Sequence, residues 1–144
     1  MSVNNIIDIL FQHLEMNELV TNADIQLITK NYPEVIYEGT VYRCIIGDRV
    51  IKTDLWQSWT KDKAMAYTIV SNIRGGYNQG KRILLEQQVT NGIDIIKLLR
   101  ILKYKENFNK KEYDVVCKLL SSYKQEQEVL CRLNDTYKIL EIRK

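Results

Sequence analysis

The stretch "SSYKQEQEVLCRL", residues 121–133, places two carboxylates, Glu126 and Glu128, directly ahead of an apolar run that has the character of a β-strand. Successive side chains of a strand point to opposite faces, so residues i and i+2 lie on one face, about 6 to 7 Å apart. The spacing therefore predicts a strand that directs both acids into the same space. Taken alone, such a pair is also common as an exposed structural feature.

The length of the chain favours a single domain, and its charge limits the kinds of partner. With 144 residues, 45% of them hydrophobic, we expect a single domain over residues 1–144. A helical N-terminal part would cover residues 1–35 and the main part residues 36–144. The 21 basic and 18 acidic residues are spread along the chain, which argues against a nucleic-acid or membrane binder that depends on strong electrostatics.

The N-terminus, the histidine and the cysteines carry no targeting or metal signal. Residues 1–18 lack a basic leading region and are interrupted by acids, so we expect neither a signal peptide nor a membrane span, and a cytoplasmic location. His13 is the one histidine of the chain, and Cys44, Cys117 and Cys131 show no paired spacing. We therefore expect neither a metal site nor a disulfide framework.

Hydrophobic periodicity predicts a mixture of helices and short strands. Helical spacing is found in residues 5–20, 22–33, 60–73, 90–102 and 110–123. Strand character is found in residues 39–47, 81–89, 127–133 and 137–144, and residues 48–59 have strand or loop character. The glycine-rich residues 74–80 predict a turn, and "NDT", residues 134–136, predicts a turn that joins the last two strands into a hairpin.

Three features stand out in chain order: Arg43 within the strand candidate "VYRC", the segment "SWT" at residues 58–60 before a helix, and the Glu-x-Glu pair. Each has a plain structural explanation, as a strand ion pair, a helix cap and a surface pair. Together they resemble the mono-ADP-ribosyltransferases of the arginine, serine, glutamate class, which include bacterial toxins and small phage-encoded enzymes. The resemblance covers roughly residues 37–142 and is strongest in the tail, "YKQEQEVLCRLNDTYKIL".

The resemblance implies an α+β fold with two small, mostly antiparallel sheets around a cleft for NAD, preceded by N-terminal helices. It implies an intracellular enzyme, in the host cytoplasm if phage-encoded, that transfers ADP-ribose from NAD to a target protein and releases nicotinamide. Arginine is the expected acceptor, and another residue or a nucleic-acid base is the less expected one. The alternatives are a catalytically silent binding protein, an NAD glycohydrolase, and an unrelated α/β domain in which the motifs coincide by chance.

The first two motifs would bind the dinucleotide. By resemblance, Arg43 contacts the NAD phosphate, for which a permanently charged guanidinium is well suited. Cys44 stands where the family often has a glycine, so its contact with nicotinamide would use backbone atoms alone. Ser58 would help to hold the catalytic glutamate, and Thr60 would brace the turn. Trp59 either packs in the core or lines the nicotinamide pocket.

The third motif would carry the chemistry. By resemblance, Glu128 binds the 2′-hydroxyl of the nicotinamide ribose as the glycosidic bond breaks, and Glu126 prepares the acceptor. A carboxylate can orient and help deprotonate a guanidinium, which is otherwise a poor nucleophile. Tyr123, in the turn before the acids, is the aromatic residue expected to touch the substrate. Residues 102–113 form an insert suited to target contacts, although a surface loop needs no function.

Overall fold

The computed structural model describes residues 3–74, 81–105 and 108–143, and within these ranges it is a mixed α and β structure, as predicted. The helices are α1 (Val3–Met16), α2 (Asn22–Asn31), α3 (Lys63–Arg74), α4 (Ile95–Lys105) and α5 (Lys110–Tyr123). The strands are β1 (Ile36–Ile46), β2 (Gln57–Thr60), β3 (Arg82–Asp94), β4 (Glu128–Cys131) and β5 (Lys138–Arg143). Two short 3₁₀ helices cover Pro33–Val35 and Lys124–Glu126.

The strands form one antiparallel sheet of barrel-like shape, whereas two sheets were expected. β1 pairs with β3 along most of its length, β2 connects β1 to β4, and β4 returns to the end of β3 at Ile93 and Asp94. These four strands therefore close on one another, and β5 extends the first half of β3. A single sheet forms because β3 is long, so that one of its edges can pair with both β4 and β5.

The sheet separates two apolar regions. Its concave side is filled by buried side chains from all four closing strands, namely Val41, Trp59, Ile83, Leu85, Val89, Val129 and Cys131. On its other side Ile93 and Leu130 join the larger core made by α1, α2, α4 and α5. Alternation along β4 thus directs Val129 into the barrel and its neighbours Glu128 and Leu130 toward the helices.

Two of the predicted elements are wrong. The last two strands do not form a hairpin, because β4 pairs with β2 and β3 whereas β5 pairs with β3 alone. Residues 90–94, predicted as helical, complete β3, and α4 begins only at Ile95. The side chain of Asp94 accepts a hydrogen bond from the Lys97 backbone N–H at 3.1 Å, so the helix starts at this cap rather than earlier.

Other predictions agree with the structure to within a few residues. α5 covers the predicted residues 110–123, capped by Asn109 in a capping box with Glu112. α1 ends at Met16, before the predicted limit, and α2 is capped by Thr21. Of the turn predicted at residues 74–80, residues 75–80 lie outside the described residues. None of the described helices is long and apolar enough to cross a bilayer.

Candidate active site

A cavity of about 240 Å³ lies where α1, β1, β2, α3 and the segment between α5 and β4 meet. Most of the residues predicted from the three motifs line it, although they come from distant parts of the sequence. We call it the Glu128 cavity, and its polar wall includes His13, Arg43, Ser58, Tyr123, Glu126 and Glu128.

Glu128 is the innermost acid of this cavity. It is the first residue of β4, lies opposite Thr60 of β2, and is 5% exposed. Paired residues of antiparallel strands direct their side chains to the same face, and this face looks toward α1. There the Oε2 atom of Glu128 lies 2.6 Å from Nε2 of His13. The carboxylate is therefore buried and held by a basic partner.

Glu126 reaches the cavity in a different way from the one predicted. It lies in the 3₁₀ helix, and Gln127 adopts a left-handed conformation with φ of 48°, so the two acids do not occupy i and i+2 of one strand. The left-handed residue turns the chain between them and still leaves both side chains on the cavity wall. Burial first, and then the charge of Glu128, raise the pKa of Glu126 to about 7, against the opposing effect of His13.

Arg43 and Ser58 join β1 to β2 at the cavity wall. The Nη1 atom of Arg43 donates a hydrogen bond to the backbone oxygen of Ser58 at 2.7 Å. The hydroxyl of Ser58 lies 3.3 Å from Nε2 of His13. Arg43 thereby fixes the strand that presents Ser58 to the histidine.

The contacts of His13 exclude a serine hydrolase triad at this place. Such a triad requires the serine and the carboxylate to bind different nitrogens of the imidazole. Here Ser58 and Glu128 approach the same atom, Nε2. Ser58 is consequently placed as a neighbour of the ion pair and not as a nucleophile activated by it.

The other members of the first two motifs lie away from the Glu128 cavity. Cys44 is buried against Ala66 and Leu84 on the opposite face of β1 from Arg43, and burial raises the pKa of its thiol. Trp59 is 1% exposed inside the barrel, and its Nε1 has no hydrogen-bond partner among the described residues. Of its two expected places, Trp59 therefore occupies the core.

Thr60 lies at the end of β2, and not in a turn as the sequence suggested. Its hydroxyl donates to the backbone oxygen of Glu126 at 2.6 Å and accepts from the backbone N–H of Asp62 at 3.0 Å. It therefore ties the segment that carries Glu126 to the start of the connection into α3.

Tyr123 is the last residue of α5 and contacts α1. Its hydroxyl lies 3.0 Å from the backbone oxygen of Leu14 and 3.2 Å from the Glu15 carboxylate. Burial and the neighbouring Glu15 raise the pKa of Tyr123 to about 12. The residue predicted to meet the substrate from a turn is thus part of the joint between α1 and α5 and borders the cavity from there.

His13 is the site residue that sequence reasoning missed. Burial by itself lowers its pKa, but the charge and hydrogen bond of Glu128 outweigh that effect, so the pKa of His13 is raised. The available signal was its spacing, since His13 follows Leu10 by three residues and precedes Leu14 on the apolar side of an amphipathic helix. A histidine at such a position needs a buried partner.

In the described part of the chain, no group of three or more His, Cys, Asp or Glu side chains is arranged to hold a metal ion. No family model, curated protein or solved structure matches the chain.

Proposed function

We propose that this chain is an NAD-dependent mono-ADP-ribosyltransferase with an ADP-ribosyltransferase-like fold, and that it modifies an arginine side chain of a target protein. One observation carries the proposal. Arg43, Ser58, Glu126 and Glu128, chosen for the order of their motifs, lie on one cavity although they come from three separate segments. A chance occurrence of the three motifs would not be expected to bring them together.

The groups in the Glu128 cavity fit one end of the dinucleotide. A phosphate needs a cation, which Arg43 supplies, and a ribose hydroxyl needs an acceptor, which Glu128 supplies. Typical small-molecule sites have volumes of roughly 300 to 1,000 Å³, so a cavity of about 240 Å³ suits the nicotinamide ribose end and not the whole molecule.

Glu128 would promote cleavage of the glycosidic bond. The bond between C1′ and the nicotinamide nitrogen breaks with its electron pair passing to nicotinamide, which leaves positive charge on C1′. A carboxylate fixed in a site of low water content stabilises that charge more than it could in bulk water. Burial of Glu128 and its bond to His13 meet both conditions.

Glu126 would act on the acceptor. A guanidinium nitrogen of the target attacks C1′ and loses a proton, which the Glu126 carboxylate accepts. A general base works best when its pKa is near the working pH, and the pKa of Glu126 is raised to about 7. Its place at the more exposed side of the cavity, compared with buried Glu128, is where an acceptor from another protein would arrive.

The second candidate is an NAD glycohydrolase, in which water replaces the acceptor. It is favoured by the different placement of the two acids, because Glu128 makes its contact with His13 of α1 without any contribution from Glu126. Cleavage could then proceed without a protein acceptor. In this case Glu128 would be needed and Glu126 would not.

The test uses NAD labelled in its adenylate part, a bacterial lysate, and the purified wild type, Glu128→Gln and Glu141→Gln. Glu141 lies on the surface in β5, so its variant controls for the loss of a carboxylate. Labelled proteins with wild type and Glu141→Gln, and none with Glu128→Gln, are expected. Free nicotinamide without labelled proteins would indicate the glycohydrolase or a lysate without the acceptor, and neither product from wild type would favour a silent binding protein.

A further inference from the structure

The N-terminal helix α1 supplies a charged contact that none of the three motifs predicts. His13, on its last turn, reaches Glu128 across 115 positions of sequence, with 2.6 Å between Nε2 and Oε2. Both side chains are largely buried, with 12% and 7% of their areas exposed. A buried carboxylate requires a partner, and here the partner comes from outside the segment that carries the motifs.

The backbone of Glu18 also favours a protonated histidine, because it acts on the pKa of His13 in the same direction as Glu128. The charges of Glu128 in β4 and Glu126 in the 3₁₀ helix act on the imidazole, and Arg43 of β1 and Tyr123 of α5 line the same cavity.

We propose that His13 is a positioning residue of the NAD site, whose imidazolium fixes one oxygen of Glu128 and leaves the other for the ribose hydroxyl. This role rests on the proposed function. The histidine does not touch the reacting atoms and acts through the orientation of Glu128. A misplacement of about 1 Å at a reacting group can reduce a rate by about 100-fold, so the orientation of this carboxylate matters.

The first experiment follows the one histidine of the chain by NMR, because its imidazole signal needs no assignment. The pKa of His13 is measured in wild type and in Glu128→Gln, with Glu141→Gln as the control. Removing a close opposite charge should lower the pKa by about one unit or more, and the control should leave it unchanged. A pKa that does not move in Glu128→Gln would overturn the proposal whatever the enzyme does.

The second experiment measures NAD cleavage in three variants of His13. Gln carries an amide nitrogen at about the reach of imidazole Nε2, whereas the amide of Asn is one methylene shorter. We expect His13→Ala and His13→Asn to lower kcat by about 10- to 100-fold with little change in the KM for NAD, and His13→Gln, which restores the hydrogen bond without the charge, to recover part of the rate. A structural role alone would not distinguish Gln from Asn, and thermal unfolding of each variant confirms that it is folded.

The pH profile adds a readout that only a titrating group provides. The imidazolium is present below the raised pKa of His13 and is lost above it, so kcat of the wild type should fall as the pH rises through that value. His13→Gln should not show this fall. An active wild type whose kcat is unaffected in folded His13→Ala would overturn the positioning role alone. If the pKa of His13 depends on Glu128 but the wild type does not cleave NAD, the proposed function is overturned. The role of His13 in that reaction is then overturned as well.

Discussion

Two carboxylates of this molecule each pair with a basic side chain, but one is buried and the other is partly exposed to solvent. In the Glu128 cavity, Glu128 is 5% exposed and bonds to His13. On the outer face of β5, Glu141 accepts a hydrogen bond from Tyr67 and pairs with Arg143, and its side chain is 40% exposed. The hydrogen bond from Tyr67, and then that from Arg143, hold the pKa of Glu141 below its ordinary value.

The difference in burial distinguishes an ion pair on the surface from an ion pair inside the candidate site. An exposed ion pair is weak because water and salt screen it and because two side chains lose their freedom. A buried pair carries a desolvation cost that apolar residues of similar volume would avoid. The fold keeps His13 and Glu128 in the interior nonetheless, which is understandable if the carboxylate is needed there for chemistry.

Replacing Glu128 should have the largest effect. Glu128→Gln keeps the shape and removes the charge, so kcat for nicotinamide release should fall by about 100- to 1,000-fold. Steady-state kinetics with purified protein measures this. The same substitution at Glu141 should leave kcat unchanged, and equal losses in the two variants would remove the distinction between the cavity and the surface.

Replacing Glu126 should separate transfer from cleavage. Glu126→Gln should reduce transfer to arginine by about 100-fold, because the base is lost, while slow hydrolysis of NAD continues. In the wild type, transfer should increase as the pH rises through about 7, where Glu126 ionises. Labelled acceptor and free nicotinamide are quantified in parallel across pH, and parallel loss of both in Glu126→Gln would contradict the separate roles of the two acids.

Replacing Arg43 should affect binding more than chemistry. A hydrogen bond to a charged group contributes about 2 kcal/mol, so Arg43→Gln should raise the KM for NAD by about 30-fold with a smaller effect on kcat. Because Arg43 also bonds to the Ser58 backbone, the unfolding midpoint is measured alongside. A KM that stays at the wild-type value in the folded variant would argue against phosphate binding by Arg43.

The pH dependence of stability should show a smaller effect. The pKa of Glu126 is about 7 in the folded protein against an ordinary value of 4.5, so between these values the folded state holds the extra proton and stability falls as pH rises. The raised pKa of His13 acts in the same direction, since its stabilisation is complete below 6.5 and is lost through the folded pKa. Denaturation midpoints at about pH 5 and about pH 8 should therefore differ less in Glu126→Gln than in wild type.

The smallest effect is expected at the surface. Glu141→Gln breaks bonds to Tyr67 and Arg143 at the partly exposed surface of β5, so activity should be unchanged and the thermal midpoint should move little. A large loss of activity in this variant would show that β5 takes part in the site.

The sequence predicts local structure well where the signal is local. The helical spacing of residues 110–123 predicts α5. The motifs also suggested that Arg43 and Glu128 belong to one site, and both line the Glu128 cavity. Strand pairing is not local, so the residues gave no means of knowing that β4 pairs with β2 and that β5 pairs with β3.

Two features of the site could not be predicted from the sequence. The left-handed conformation of Gln127 carries no signal, because glycine and asparagine are the residues that usually mark it. The role of His13 depends on a partner 115 positions away, and only the closed fold brings the two together.

The most direct test of the proposed NAD site is a crystal structure of the Glu128→Gln variant with NAD, since this variant should bind the dinucleotide and cleave it slowly. We expect the nicotinamide ribose in the Glu128 cavity, with its 2′-hydroxyl within about 3.2 Å of the residue 128 side chain and a phosphate on Arg43. Bound NAD at another place, or a cavity that stays without NAD at saturating concentration, would contradict it.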